Sequence, residues 1–166
     1  MKLRQLLLIP VIGALLFLTA CENPFAPTST TSSTPSASPE IKSAIDQYVA
    51  KVNAHDAPGA GEFYSDDPGF QWIENGQVVY ETKTAAIAAL TNFFAGFPES
   101  HFEAYDVKLS MLTDDAALAT FRFTQTIAAN GQASLKMEGT MTLAMTDRDG
   151  NWKIVVGHRS ATTFPH

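Results

Sequence analysis

The segment DDAALATFRFTQTIAANGQASLKMEGTMTLAMTDRDGNWKIVVGHRSATT, residues 114–163, contains three strand-like runs joined by two turn signals. Asn130-Gly131 is the pair that a two-residue type I′ hairpin turn requires, because both central positions need positive φ and these residues tolerate it. Asp147-Arg148-Asp149-Gly150 marks a second, slightly longer turn ending in glycine. Between the turns Leu135, Met137, Met141, Leu143 and Met145 recur at period two, with Lys136, Glu138, Thr140 and Thr142 on the opposite face. That spacing predicts a half-buried antiparallel strand. On the preceding run Phe121, Phe123 and Ile127 alternate with Thr120, Arg122, Thr124 and Thr126. On the last run Trp152, Ile154, Val156 and His158 alternate with Lys153, Val155, Gly157 and Arg159. Three long strands in a meander thus make up most of one curved sheet.

Upstream the periodicity is helical. Ser38-Pro39-Glu40 supplies an N-cap, a proline at the first helical position and an acid in the first turn. Ile41, Ile45, Tyr48, Val49 and Val52 then predict an amphipathic helix to about Asn53. A second, shorter helix is expected around Ala57 to Ser65, weakened by Pro58, Gly59 and Gly61. Phe70 to Ile73, Asn75-Gly76 and Gln77 to Tyr80 read as a short hairpin. A third helix over Lys83 to Phe97 carries Ile87, Leu90, Phe93, Phe94 and Phe97 on one side, and His101 to Leu112 resumes strand alternation. Helix, helix, hairpin, helix and four long antiparallel strands argue an α+β fold. A strongly curved sheet closed on its concave side by about three N-terminal helices forms a cone.

At 166 residues, with 45% hydrophobic and 17% charged residues, one domain with a real core is expected. The chain opens with Lys2 and Arg4, an apolar run from Leu6 to Leu18 and then Leu18-Thr19-Ala20-Cys21, the pattern of a secretory signal peptide. Pro10 and Gly13 interrupt the run, which is short for a membrane span. Cys21 is the only cysteine, so no intramolecular disulfide is open to it. Leu-Thr-Ala-Cys resembles the bacterial lipobox, which implies acylation of Cys21 and attachment to a membrane through lipid. Glu22 to Ser38 is rich in Ser, Thr and Pro and reads as a linker. The expected organisation is residues 1–20 as leader, 21–38 as lipidated cysteine and linker, and 39–166 as the cone domain. Loss of the leader removes Lys2 and Arg4 from the 11 bases and no acid, so 17 acids face 9 bases and the net charge is −8. That balance argues against nucleic acid and against anionic headgroups as partners. The expected address is the cell envelope, lipid-anchored: the outer membrane facing the periplasm in a diderm, otherwise the outer face of the cell membrane.

The runs FRFTQ, NG, MEGTMTL and DRDGNWKIVVGHRS resemble the closing strands of the association (hub) domain of calcium/calmodulin-dependent protein kinase. That family belongs to the nuclear-transport-factor-two-like cones, with the SnoaL-like polyketide cyclases and ketosteroid isomerase. The resemblance rests on Arg122, Thr124, Gln125, Trp152, Val155, His158, Arg159 and Ser160. Two departures are evident: Met141 stands where the family has a third arginine, and Val156 where it has a first histidine. The resemblance implies a pocket at the cone mouth and pairing of the uncovered sheet face with a second copy, as a homodimer or higher oligomer.

His55, His101, His158 and His166 show no metal-ligand spacing, no phosphate-binding loop or nucleophile elbow is evident, and neither metal nor cofactor is expected. Asp66, Asp67, Glu74, Glu103 and Glu138 are the acids open to nomination for a catalytic carboxylate, most beside turns or on polar faces where solvation is the bland reading. Arg122 and Arg159 sit mid-strand, an unusual place for a charge. They read either as a clamp for a carboxylate-bearing ligand inside the cone or as salt-bridge partners, for example of Glu138. Alternation alone does not settle the face each takes, since one bulge exchanges them. Tyr48, Phe63, Tyr64, Trp72, Phe94 and Met141 complete the expected lining, as core first and ligand contact second. His158 reads as a packing or dimer-face residue, and with Asp67 and Glu138 as a secondary catalytic candidate. Two function classes follow: a membrane-anchored module binding a small ligand or a protein partner, or a cofactor-independent enzyme of the cyclase, isomerase or hydrolase kind.

Overall fold

The computed structural model describes residues 38–128 and 134–165. These residues all lie in one unit, Ser33–His166. Cys21, the expected leader, most of the expected linker, the expected Asn130-Gly131 turn and His166 lie outside the described residues. In chain order the elements are α1 (Ser38–Asn53), α2 (Ala57–Gly61), β1 (Gln71–Glu74), β2 (Gln77–Tyr80), α3 (Lys83–Gly96), β3 (His101–Met111), β4 (Ala116–Ile127), β5 (Leu135–Arg148) and β6 (Asn151–Pro165).

The six strands form one sheet in the order β2-β1-β6-β5-β4-β3. All neighbours are antiparallel except β1 and β6, which run parallel with Trp72 opposite Gly157 and Glu74 opposite Arg159. The expected meander of β4, β5 and β6 pairs along its full length. Asn75 and Gly76 take positive φ at the β1–β2 turn, and Asp149 and Gly150 do so at the β5–β6 turn, as their residue types allow. Helix α2 is shorter than expected and stops at Gly61. The chain then tightens, with the Phe63 and Tyr64 N–H groups donating to the carbonyls of Ala60 and Gly61.

The helices cover the concave face. Ile41, Ile45, Tyr48 and Val52 of α1 are buried at the expected spacing against Phe121, Phe123, Leu143, Met145, Trp152 and Ile154 of the sheet. Phe102 and Phe123 stack with centroids 5.2 Å apart across β3 and β4.

A bulge in β6 changes the expected face of half that strand. Ala144 pairs with Val156 and the next residue, Met145, pairs with Ile154, so Val155 is an extra residue without a partner. Trp152 and Ile154 point into the core as expected. Beyond the bulge the phase reverses: Gly157 is buried and Arg159 faces inward, while Val156 and His158 take the outer face. A second bulge, at Asp106 with φ of 55°, sits between Tyr105 and Lys108 on β3.

Phe123 is fully buried between the sheet and α1. Phe123→Ala is expected to destabilise the chain by about 3–5 kcal/mol, read as a lowered midpoint in urea unfolding with an unchanged slope.

Candidate functional site

A cavity of about 240 Å³ opens on the concave face. Its apolar walls come from Val52 of α1, Ala86, Leu90, Phe93 and Phe94 of α3, Trp72 of β1, Phe102 of β3 and Met141 of β5. Helix α3 is capped by Thr82, whose hydroxyl accepts the Ala85 N–H at 3.2 Å. Only Ala86 and Phe94 of this helix are buried, while Leu90 and Phe93 pack against the core and also face the cavity.

The polar end of the cavity is a chain of four side chains. Arg159 Nη2 donates to Glu74 Oε2 at 2.9 Å, and Arg159 Nη1 donates to Gln125 Oε1 at 3.1 Å. The other Glu74 oxygen accepts the Trp72 indole N–H at 3.2 Å. The parallel pairing of β1 with β6 sets Glu74 beside Arg159, and the curvature of the sheet brings Gln125 of β4 within reach. Glu74 and Arg159 are both partly buried. A charge-assisted pair at that depth holds its geometry better than one in open water, although burial offsets much of the attraction.

A hydrogen-bonded pair of phenols adjoins this polar end, and Tyr80 brings a third phenol to the lining. Tyr48 and Tyr64 share a hydrogen bond of 3.0 Å in which either hydroxyl can donate. One phenolic proton of the pair therefore remains for another acceptor. Burial pushes the Tyr48 hydroxyl up to about 12, and burial together with the neighbouring Tyr48 pushes Tyr64 well above the ordinary phenol range. Both stay neutral donors at physiological pH.

Of the residues expected in the lining, Arg159, Tyr48, Tyr64, Trp72, Phe94 and Met141 are there. Arg122 is not. It lies on the outer face, exposed, with its guanidinium 5.2 Å from the Tyr105 ring centroid. Regular alternation of β4 keeps Phe121, Phe123 and Gln125 inside and Arg122 outside. A clamp of two arginines is therefore replaced by one arginine held by a carboxylate. Phe63 packs edge-on against Tyr48, at 6.1 Å between centroids, behind the lining rather than in it.

The secondary catalytic candidates are also elsewhere. Asp67 is half-buried outside the cavity and pairs with Arg148 at 2.8 Å, which lowers its carboxyl below the usual range. Glu138 pairs with Lys136 at 2.7 Å on the outer face, and that lysine lowers its carboxyl likewise. His158 sits on the outer face because of the β6 bulge. Glu74, one of the nominated acids, is the carboxylate that enters the cavity. Tyr80 and Phe102 join it without having been singled out as lining. No group of histidine, cysteine and carboxylate side chains suited to a metal occurs among the described residues.

A family model for the SnoaL-like domain matches residues 41–164. The chain belongs to the SnoaL-like domain family. No curated protein sequence matches it. Solved structures align with this SnoaL-like domain at low identity. A candidate scytalone dehydratase from Novosphingobium aromaticivorans aligns with TM-score 0.70 and 11% identity over 76% of this chain and 85% of that one. The hexachlorocyclohexane dehydrochlorinase LinA-type3 from Novosphingobium barchaimii gives 0.65 and 16% over 76% and 90%. A candidate calcium/calmodulin-dependent protein kinase II association domain from Xanthomonas campestris gives 0.63 and 18% over 74% and 86%. At these identities the likeness establishes the shared cone, as the resemblance in the closing strands implied, and the SnoaL-like cavity has to be read from its own side chains.

The phenol pair has a measurable consequence. A phenol whose folded pKa lies above the unfolded value of about 10 contributes stability that is complete below pH 10 and is lost as pH rises toward 12. Unfolding free energy is expected to fall in that window by up to about 1.4 kcal/mol per pH unit for each such phenol. Tyr48→Phe with Tyr64→Phe should remove that part of the slope, read by urea unfolding across the pH series. Absorbance titration near 295 nm should show both phenols resisting ionisation at pH 11 in the wild type.

Proposed function

We propose that this SnoaL-like domain is a lipid-anchored binding module of the cell envelope, which holds a small, neutral, ring-sized molecule in its cone and works as a homodimer. The observation that carries the binding reading is the charge balance of the cavity. Among the described residues its ionic groups are Glu74 and Arg159, and each neutralises the other at 2.9 Å. A ligand carboxylate would meet Glu74, and a ligand ammonium would meet Arg159. A neutral molecule meets neither penalty.

The unspent hydrogen-bonding capacity narrows the class further. Arg159 has five N–H groups and uses two, and the Gln125 amide nitrogen has no protein acceptor among the described residues. With one phenolic proton in addition, donors dominate, which suits a carbonyl oxygen on the ligand. As to size, an apolar cavity of about 150 Å³ accommodates benzene, so about 240 Å³ suits one or two fused rings.

The enzyme reading has one observation in its favour: the phenols of Tyr48 and Tyr64 line the same cavity as the Glu74 carboxylate, so a donor and a base share one space. Binding is preferred because each Glu74 oxygen already accepts a hydrogen bond, one from Arg159 and the other from Trp72, so both are engaged within the protein. For the homodimer, support comes from the outer face, where Leu118, Ala144 and Val156 align across β4, β5 and β6 as an apolar row that no element of the described chain covers. For the anchor, support comes from the leader, Cys21 and the Ser/Thr/Pro-rich stretch that follows it.

In calorimetric titration, the full-length wild type is expected to bind a bicyclic ketone at least about tenfold more tightly than the matched carboxylic acid. Glu74→Gln leaves Arg159 without its counter-charge and should reverse that order. A wild type that prefers the acid would contradict the neutral-ligand reading. Cys21→Ser is expected to abolish acylation, read by metabolic labelling with a fatty acid and by loss of membrane retention on fractionation. Retention at the wild-type level would contradict the anchor.

A further inference from the structure

Gly157 lies on the concave face beside the cavity, and its backbone does not explain why it is glycine. Among the described residues the left-handed glycines are Gly76 and Gly150, and Gly157 is not one of them. Space explains it. In the parallel register Gly157 is opposite Trp72, and a Cβ at position 157 would overlap the six-membered ring of that indole, with Cδ2 only 3.1 Å away and Cε3 and Cζ3 nearer. Those atoms belong to a rigid aromatic that cannot yield by bending, so the whole ring would have to leave the sheet.

The place of that ring matters for the site. Trp72 lines the cavity, its indole N–H holds Glu74, and Tyr64 packs against it with ring centroids 5.8 Å apart. The β6 bulge at Val155 is what turns Gly157 inward under the indole, and two residues further on it turns Arg159 inward to Glu74. One backbone irregularity therefore seats the aromatic wall and the polar end together.

We propose that Gly157 and Trp72 form the size gauge of the cavity. The absent side chain at position 157 lets the indole lie flat on β6, and the depth released in this way admits a ligand of two fused rings rather than one. This rests on the binding reading given above. A methyl group at position 157 lifts the indole into the cavity, shortens it and strains the bond to Glu74. Replacement of the indole by the smaller phenyl ring then restores the depth, because phenyl leaves room for the methyl.

The test compares a one-ring aryl ketone, acetophenone, with a fused two-ring ketone, 1-tetralone, titrated calorimetrically into the full-length wild type, Gly157→Ala and Gly157→Ala/Trp72→Phe. Gly157→Ala is expected to weaken the two-ring ketone at least about tenfold while the one-ring ketone changes less than about threefold. The double variant is expected to regain the two-ring ketone. Near-ultraviolet circular dichroism supplies a readout without ligand: Gly157→Ala should alter the Trp72 contribution, defined by difference against Trp72→Phe. Equal loss of both ketones in Gly157→Ala without recovery in the double variant would mark a merely structural glycine and overturn the proposal. So would an unchanged Trp72 spectrum, or wild-type binding with no size-selective loss. A wild type that binds neither ketone overturns the binding reading and this proposal with it.

Discussion

Val155 has no partner on β5, and the arrangement of the cavity depends on that mismatch. A regular strand carrying Trp152 and Ile154 into the core would send Gly157 and Arg159 outward with Lys153. One extra residue reverses the phase, because side chains alternate with period two and a bulge adds one. The core residues before it keep their burial, and the residues after it become available to the concave face. The lateral neighbour completes the effect. β1 lies parallel to β6, so Trp72 rests on Gly157 and Glu74 meets Arg159.

The polar end that results is neutral as a whole. A lone guanidinium in an aromatic cavity would have to attract an anion or remain hydrated. Glu74 removes that need, Gln125 and Trp72 fix the geometry, and the two phenols stay protonated because burial penalises their charged forms. Directional hydrogen bonds without net charge recognise a neutral molecule by shape and by the position of its acceptor.

Cones of the same architecture with 11% to 18% identity are described as a dehydratase, a dehydrochlorinase and an association domain. The backbone therefore says little about chemistry, and the lining of each cavity says most. Here that lining is aromatic, with α3 as a wall whose apolar residues serve the core and the cavity together. The outer face is chemically separate, with threonines, the Lys136–Glu138 pair, His158 and Arg122 set around a strip of Leu118, Ala144 and Val156.

The sequence by itself determined the helices, the strands and the curved sheet, because period-two and period-3.6 patterns, the Asn-Gly and Asp-Gly turns and the Ser38 and Pro39 start are local properties that neighbouring residues impose. Alternation left the face of Arg122 open, because one bulge would have exchanged it; β4 keeps its period throughout, so Arg122 takes the polar face. Most of the aromatic lining was legible from the local patterns: Tyr48, Trp72 and Phe94 lie on apolar faces that had to turn toward the core. Tertiary structure alone decided the polar end. Whether Val155 pairs or bulges depends on the energies of two alternative ladders with β5, and nothing within β6 states that preference. Glu74 is 85 residues from Arg159, and a parallel contact between first and last strand leaves no local trace, so a carboxylate that reads as solvated beside a turn becomes the partner of the one arginine found in the cavity.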